Sequence, residues 1–407
     1  MAQETIVDIG KGKCVSGPLA GLRVVELGQL IAGPFCAQLL GDMGADIVKV
    51  EPPGAGDPMR QWGRGDPPVW WEVIARNKRS VSLNLREEEG QEIARKLIAD
   101  ADIVVENFRP GTLERWNLGP DRLMEENPGL IAVRISGYGQ DGPYAQRAGF
   151  GGIGEAMGGW RGIVGSPDEP PSRMGVSIGD SLAGTFGALG ALAALRERDV
   201  SGKGQIVDSA LYEAVLQMME SLVPEYDASG FIRQRSGAIL PGIAPSNVYP
   251  CRDGDFLIAA NHDGVFARLA KAMGREDLAD DPRFADHAAR GAHQAELDGI
   301  IAAWTSTKTL EDLEQLMVDN AVPSGRVYTA EDMMEDAHFK ARKAIVSVMT
   351  EKHGPLQMQS VFPKLSRTPG RIRRTAPVQA GADNAEILGA LGIDAARRVE
   401  LADRNII

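Results

Sequence analysis

A single carboxylate, Asp180, heads the stretch GVSIGDSLAGTFGALGALAAL (175–195), in which no other charge occurs. An aspartate in front of a run with good helical propensity is placed to sit at N-cap, accepting bonds from free backbone N–H groups. The helix dipole favours its ionised form there by roughly 0.3–1 kcal/mol. Small neighbours, Gly179, Ser181 and Gly184, leave such a carboxylate open to a bulky electrophile, which is what a covalent nucleophile requires. Residue type alone favours the simpler role of helix cap.

Other chemistries find less support. The five histidines, His262, His287, His293, His338 and His353, form no HExxH, HxH or Cys/His spacing, so no metal site is expected. There is no GxSxG elbow. The first βα turn, ELGQLIAGP (26–34), lacks both GxGxxG and the Lys-Ser/Thr of a P-loop. Glu51, at the end of the second strand, therefore makes a weak ribose ligand, and nicotinamide chemistry is not expected. Basic residues gather in RNKR (76–79) and NFRPGTLER (107–115). Cations beside a sheet suit a ligand with several phosphates, and they equally suit a solvated rim.

The elements that must position these groups alternate regularly. LRVVELG, ADIVKVE, RSVSLNL, DIVVENF and LIAVRISGYG read as short β-branched strands. AGPFCAQLLGDMG, EEEGQEIARKLIADA and DRLMEEN read as the helices between them. That order predicts an α/β fold with a parallel sheet of Rossmann type. From about Gly230 the alternation is lost, and a smaller α+β second domain is expected. The ranges are 1–225 for the large domain, 226–337 for the small one, and 338–407 for a C-terminal segment returning to the large domain. The 407 residues are ordinary in composition, with 43% hydrophobic and 25% charged, as for a soluble globular protein. A net charge of −12 argues against nucleic acid as a partner. The uncharged run Ser181–Leu195 falls short of the roughly 20 residues of a membrane span. Cys14, Cys36 and Cys251 are odd in number and widely spaced, and MAQETIVDIGKGKCVSG has no apolar core of a leader. A cytoplasmic protein without disulfides is expected.

Over nearly its whole length the chain resembles the class III CoA-transferases, the superfamily of formyl-CoA transferase, carnitine CoA-transferase and α-methylacyl-CoA racemase. PLAGLRVVELGQLIAGPFCAQLLGDMGADIVKVEPPGAGDPMR, ARNKRSVSLNL, DIVVENFRPGTLER, ISGYGQDGPY and GVSIGDSLAGTFGALGALAAL occur in that family's order and spacing. The resemblance implies that Asp180 is the nucleophile, passing through an aspartyl anhydride and an aspartyl-CoA thioester. It implies CoA contacts at Ile31, Ala32, Lys78, Asn107, Phe108 and Arg115, with Lys78 and Arg115 on phosphates and Phe108 beside the adenine. Coenzyme A and acyl-CoA enter as substrates, with no tightly bound cofactor, and an interlocked homodimer is expected.

The residues just after the ISGYGQDGPY turn bear on substrate choice through the same resemblance. Where the racemases carry His-Asp and the formyl-CoA transferases Tyr-Glu, this chain has Phe150-Gly151. Phe150 cannot exchange an α-proton, so racemisation is disfavoured, as are formate and oxalate. FGGIGEAMGGWRGIVGSPDEPP and LPGIAPSNVYPCRDG look most like the succinyl-CoA-dependent dicarboxylate transferases. Arg147, Arg161 and Arg173 are the arginines that could hold a distal carboxylate. The alternatives are a racemase or isomerase on the same fold, and a catalytically silent CoA-binding subunit.

Overall fold

A computed structural model describes residues 16–407 and the two-residue strand Ile6–Val7; Cys14 lies outside the described residues. Two compact units emerge. The first comprises Met1–Trp160, Met174–Pro224 and His338–Ile407, and the second Arg161–Arg173 and Glu225–Ala337. The segment 161–173, expected within the large domain, packs with the second unit.

The first unit is built on six parallel strands: β1 (Arg23–Glu26), β2 (Asp46–Glu51), β3 (Lys78–Ser82), β4 (Ile103–Glu106), β5 (Ile131–Ser136) and β6 (Ile206–Ala210). Their spatial order is β3-β2-β1-β4-β5-β6, the doubly wound order of a Rossmann sheet. Alternate residues point to opposite faces, and both faces are covered. Val24, Ile47 and Ile103 join Cys36 and Leu40 of α1 (Ala32–Asp42) in one core. Val25, Val48 and Val104 join Ile93 and Ile98 of α2 (Glu88–Ala99) in the other. Apolar residues on both sides are why these strands read as continuous hydrophobic runs.

Three further helices frame the C-terminal ends of β5 and β6: α3 (Gly151–Met157), α4 (Ile178–Ser201) and α5 (Leu211–Leu216). The 24-residue α4 outruns the uncharged stretch and is long and apolar enough, by length and composition, to cross a membrane. Its buried stripe of Ala183, Gly184, Gly187, Ala188, Ala191, Ala194 and Leu195 instead packs on α1 and the sheet. A Cβ at Gly184 would lie 2.7 Å from the Ala32 carbonyl oxygen, and one at Gly187 3.2 Å from Ile135 and Val133. The small residues of this helix thus answer chiefly to close packing.

The C-terminal segment returns to the edge strand β3. Ser80 N–H donates to Asp383, Ser82 N–H to Asn384, and the Arg60 guanidinium to the Pro377 carbonyl. This segment also forms an antiparallel hairpin, β10 (Ile345–Thr350) and β11 (Gly354–Gln359). In the second unit, β7 (Ser246–Pro250), β8 (Asp255–Ala259) and β9 (Ser324–Arg326) form a three-stranded antiparallel sheet in the order β9-β8-β7. Its core is Tyr249, Phe256, Phe266 and Phe284 with surrounding aliphatics.

Candidate active site

Strand order reverses between β1 and β4, and ligands of open α/β sheets bind outside the carboxyl ends of strands at such a point. The two loops leaving β1 and β4 are stitched together there by Asn107. Its side chain accepts from Gln29 N–H and donates to the Gln29 carbonyl, both at 2.8 Å. Gly28 and Gly33 permit this, because a Cβ on either would press on the Asn107 amide at 3.0–3.3 Å. Leu30 in the same turn takes φ 63°, a left-handed conformation that costs a non-glycine residue about 1 kcal/mol. Ile31 and Ala32 come next and are 6% and 3% exposed, so Gln29 and Leu30 are the half-buried residues that the turn presents.

Phe108 and Arg115 stand just beyond Asn107. The Phe108 ring packs edge-on against Trp116 with centroids 5.0 Å apart, and the exposed Arg115 guanidinium bonds Thr112 Oγ1 at 3.0 Å. The backbone here is fixed by Glu106, which accepts from Phe108 N–H at 2.7 Å and from Arg134 Nε at 2.8 Å. Burial pushes the Glu106 carboxyl up to about 7, outweighing the Arg134 ion pair. Between the ordinary value of 4.5 and about 7, the folded chain keeps a proton that the unfolded chain releases. Stability therefore falls as pH rises through that window, by on the order of 3 kcal/mol. Chemical unfolding over that window is expected to show this slope, and Glu106→Gln to flatten it. An equal slope in both proteins would exclude Glu106 as its source.

Asp180 lies in the first turn of α4, the third residue of that helix, with Ser177 at N-cap. It was expected at the cap itself; the helix begins three residues earlier, with Ser177 at the cap, and the dipole favours its charge from this position as well. The half-buried carboxylate rests against the Cα of Gly151, where any Cβ would overlap it. A Cβ on Gly179 would in turn lie 2.9 Å from the Gly151 carbonyl oxygen. The first turns of α3 and α4 thus meet at glycine and carry Asp180 between them. Phe150, at N-cap of α3, is 69% exposed. Arg147 is also exposed and stacks on Tyr144, 3.6 Å from the ring centroid.

Not every expected contact residue reaches this surface. Lys78 is fully buried, its ammonium 2.7 Å from both a Glu26 oxygen and the Pro34 carbonyl. A phosphate cannot approach an amine so enclosed. The RNKR backbone leads into the N-terminal end of β3, and of its side chains Lys78 alone is bonded to the turn after β1, from inside. Arg76 is spent on Asp42 at 2.6 Å, and Arg79 on Asp46 and Glu386. Glu51 is likewise unavailable to a ribose, because Arg60, Ser80 and Asp57 N–H occupy both its oxygens. Burial alone would raise the Glu51 carboxyl; Arg60, Lys49 and Ser80 together hold it below the usual range. Arg161 and Arg173 belong to the second unit. Among the described residues, no group of three or more His, Cys, Asp or Glu converges as a metal site.

Sequence reasoning missed Lys49, Glu26 and Asp57. Glu26 and Lys49 are partners in the parallel register of β1 and β2, and both are fully buried. Opposite charges next to the valines of two neighbouring strands were the available signal.

The profile of CoA-transferase family III matches residues 19–384. The chain belongs to CoA-transferase family III. The transferase is 56% identical over 374 residues to succinyl-CoA–D-citramalate CoA-transferase of Chloroflexus aurantiacus, covering 91% of this chain and 93% of that one. It is 39% identical to the alpha subunit of succinyl-CoA–L-malate CoA-transferase from Chloroflexus aurantiacus, over 96% of this chain and 92% of the relative. Among solved structures, a CAIB/BAIF family protein from Brucella suis superposes with a TM-score of 0.82 at 35% identity, covering 92% of this chain and all of that one. The fold and the class of enzyme implied by the sequence motifs are thereby established. This is a CoA-transferase on a Rossmann-like α/β scaffold.

Proposed function

We propose that the enzyme moves CoA from succinyl-CoA to a small dicarboxylic acid, with citramalate and malate the first acceptors to try, and that Asp180 carries the transfer. The observation behind this reading is the placement of Asp180, an acid in the first turn of α4 pressed on glycine backbone. A carboxylate that attacks a thioester has to be ionised, reachable and held still.

An Asp180 oxygen attacks the donor thioester carbon; the C–S bond breaks, leaving an aspartyl–succinyl anhydride and CoA thiolate. The thiolate attacks the aspartyl carbon, the anhydride C–O bond breaks, and succinate departs from an aspartyl-CoA thioester. The acceptor carboxylate then displaces the thiolate, giving a second anhydride. Attack of the thiolate on the acceptor's acyl carbon yields the new acyl-CoA and restores Asp180. The N–H groups of Gly151 and Gly152, at the start of α3 beside Asp180, are the donors assigned to the oxyanion at each stage. Of Arg147, Arg161 and Arg173, Arg147 lies in the first unit and is exposed, and it is assigned to the acceptor's distal carboxylate.

Two copies of the chain acting in the cytoplasm complete the reading. Leu189 and Val200 of α4 are 59% and 76% exposed, apolar surface that a second copy would cover, and the described cysteines Cys36 and Cys251 are free thiols.

Incubation with succinyl-CoA and a panel of mono- and dicarboxylic acids, followed by acyl-CoA mass analysis, tests the assignment. New acyl-CoA species are expected with dicarboxylates at least about tenfold faster than with monocarboxylates, a difference that one desolvated ionic contact supplies. Preference for monocarboxylates would sink the substrate assignment, and a monomer mass by light scattering would remove the second copy.

A further inference from the structure

Two lysines and two carboxylates lie wholly inside the first unit, behind the turn that links β1 to α1. Lys49 Nζ is 2.8 Å from Glu26 Oε1 and 2.8 Å from Asp57 Oδ2, and Lys78 Nζ is 2.7 Å from Glu26 Oε2. The four side chains are no more than 1% exposed and their charges cancel. Three of them also spend a hydrogen bond on the turn or on the loop beside it. Lys49 donates to the Gly28 carbonyl at 2.9 Å and Lys78 to the Pro34 carbonyl at 2.7 Å. Asp57 Oδ1 accepts from Leu30 N–H at 3.1 Å and Met59 N–H at 2.9 Å. With the two Asn107 bonds to Gln29, the segment 28–34 is held at both ends and in the middle.

A buried ion pair is poor evidence for stability, because apolar residues of the same volume do as well or better. Buried charges aimed at the carbonyls of one short turn therefore call for another explanation. That turn stands at the reversal point of the sheet, and the Ala32 carbonyl packs on Gly184, one helical turn after Asp180. Leu30 keeps a left-handed backbone in it, a conformation that persists only where its surroundings over-determine it.

We propose that Lys49, Glu26, Lys78 and Asp57 are positioning residues, which fix the Gly28–Pro34 turn as a rigid floor for the bound acyl-CoA beside Asp180. On this account Lys78 acts on CoA through the Pro34 carbonyl without touching a phosphate. The inference rests on the CoA-transfer reading above.

The test separates positioning from stability with the pair Lys78→Met and Lys78→Met/Glu26→Gln. The single change unbalances the buried charges, whereas the double change restores neutrality; both leave the Pro34 carbonyl without its donor. CoA affinity by titration calorimetry, Tm, and the KM and kcat for succinyl-CoA are the readouts. Lys78→Met is expected to lower Tm, and the double variant to recover most of it. Both are expected to bind CoA about tenfold more weakly, with KM raised in proportion and kcat changed less than about threefold, the pattern of lost uniform binding. If Lys78→Met does not fold, the double variant alone decides. Affinity that returns to the parent's in the double variant along with Tm would show a cluster serving only the fold, and the inference fails. A parent protein that binds no CoA takes down the functional reading as well, an outcome visible before any variant is made.

Discussion

Replacing Asp180 with alanine is expected to lower kcat for CoA transfer by at least about 10⁴-fold, the scale on which removing a covalent nucleophile acts. The tertiary structure should tolerate the change. Asp180 is only half-buried, on a helix whose hold on the core comes from Ala183, Gly187, Ala191 and Leu195. Asp180→Asn keeps the volume against Gly151 and removes the charge, so it separates shape from chemistry; it should be nearly as inactive as alanine. CoA binding in both variants should stay within a few-fold of the parent's. Hydroxylamine added with succinyl-CoA supplies a second readout, because it intercepts an activated aspartyl group as the hydroxamate. Peptide mass analysis should find that adduct on Asp180 in the parent and on no residue in either variant. Substantial transfer by Asp180→Ala would remove the aspartyl intermediates altogether.

Gly151→Ala is expected to be harmful for a different reason, though less so than loss of the carboxylate. The backbone at Gly151 lies outside the left-handed region, so alanine is conformationally acceptable there. What excludes it is the Asp180 carboxylate, which occupies the space that a Cβ would take. Either the carboxylate rotates away or the first turns of α3 and α4 part. A displacement on the order of 1 Å at a reacting atom costs about 10²-fold in rate. The expected result is a kcat lower by about 10²-fold, KM for succinyl-CoA little changed, and a stability loss of about 1–3 kcal/mol from overpacking. A parental kcat in Gly151→Ala would mean that the carboxylate works from a place other than the one it occupies beside Gly151.

The parallel sheet was legible in the sequence because its inner strands are buried on both faces. IVKVE and IVVE are dominated by β-branched residues, and the helices between them carry clear boundaries. The hairpin β10–β11 was not legible: GPLQMQ mixes polar and apolar residues without strict alternation, and its pairing with Ile345–Thr350 depends on tertiary context. The helix Ala395–Asp403 was missed as well, its apolar residues being too few to show a helical period. In the site, Asp180 and Gly151 were found through motif resemblance, and no spacing rule links residues so far apart in the chain. The expectation that Lys78 meets a phosphate has a plain origin. Sequence shows that Lys78 is cationic and starts a strand, but that its ammonium is enclosed with Glu26 emerges only from the neighbouring strands.

The return of the C-terminal segment to β3 bears on how the protein is made. Ser80 finds its partner Asp383 303 positions later in the chain. At ribosomal rates of about 5–20 residues per second, that is a wait of about 15–60 s. Through that interval the nascent sheet shows an open edge at β3, with the Ser80 and Ser82 N–H groups unclaimed, the kind of edge on which chains pair wrongly with their neighbours. The first unit, begun early, therefore finishes folding only after Asp383 and Asn384 have left the ribosome. Its yield in the cell is set by how well that bare edge is shielded in the meantime.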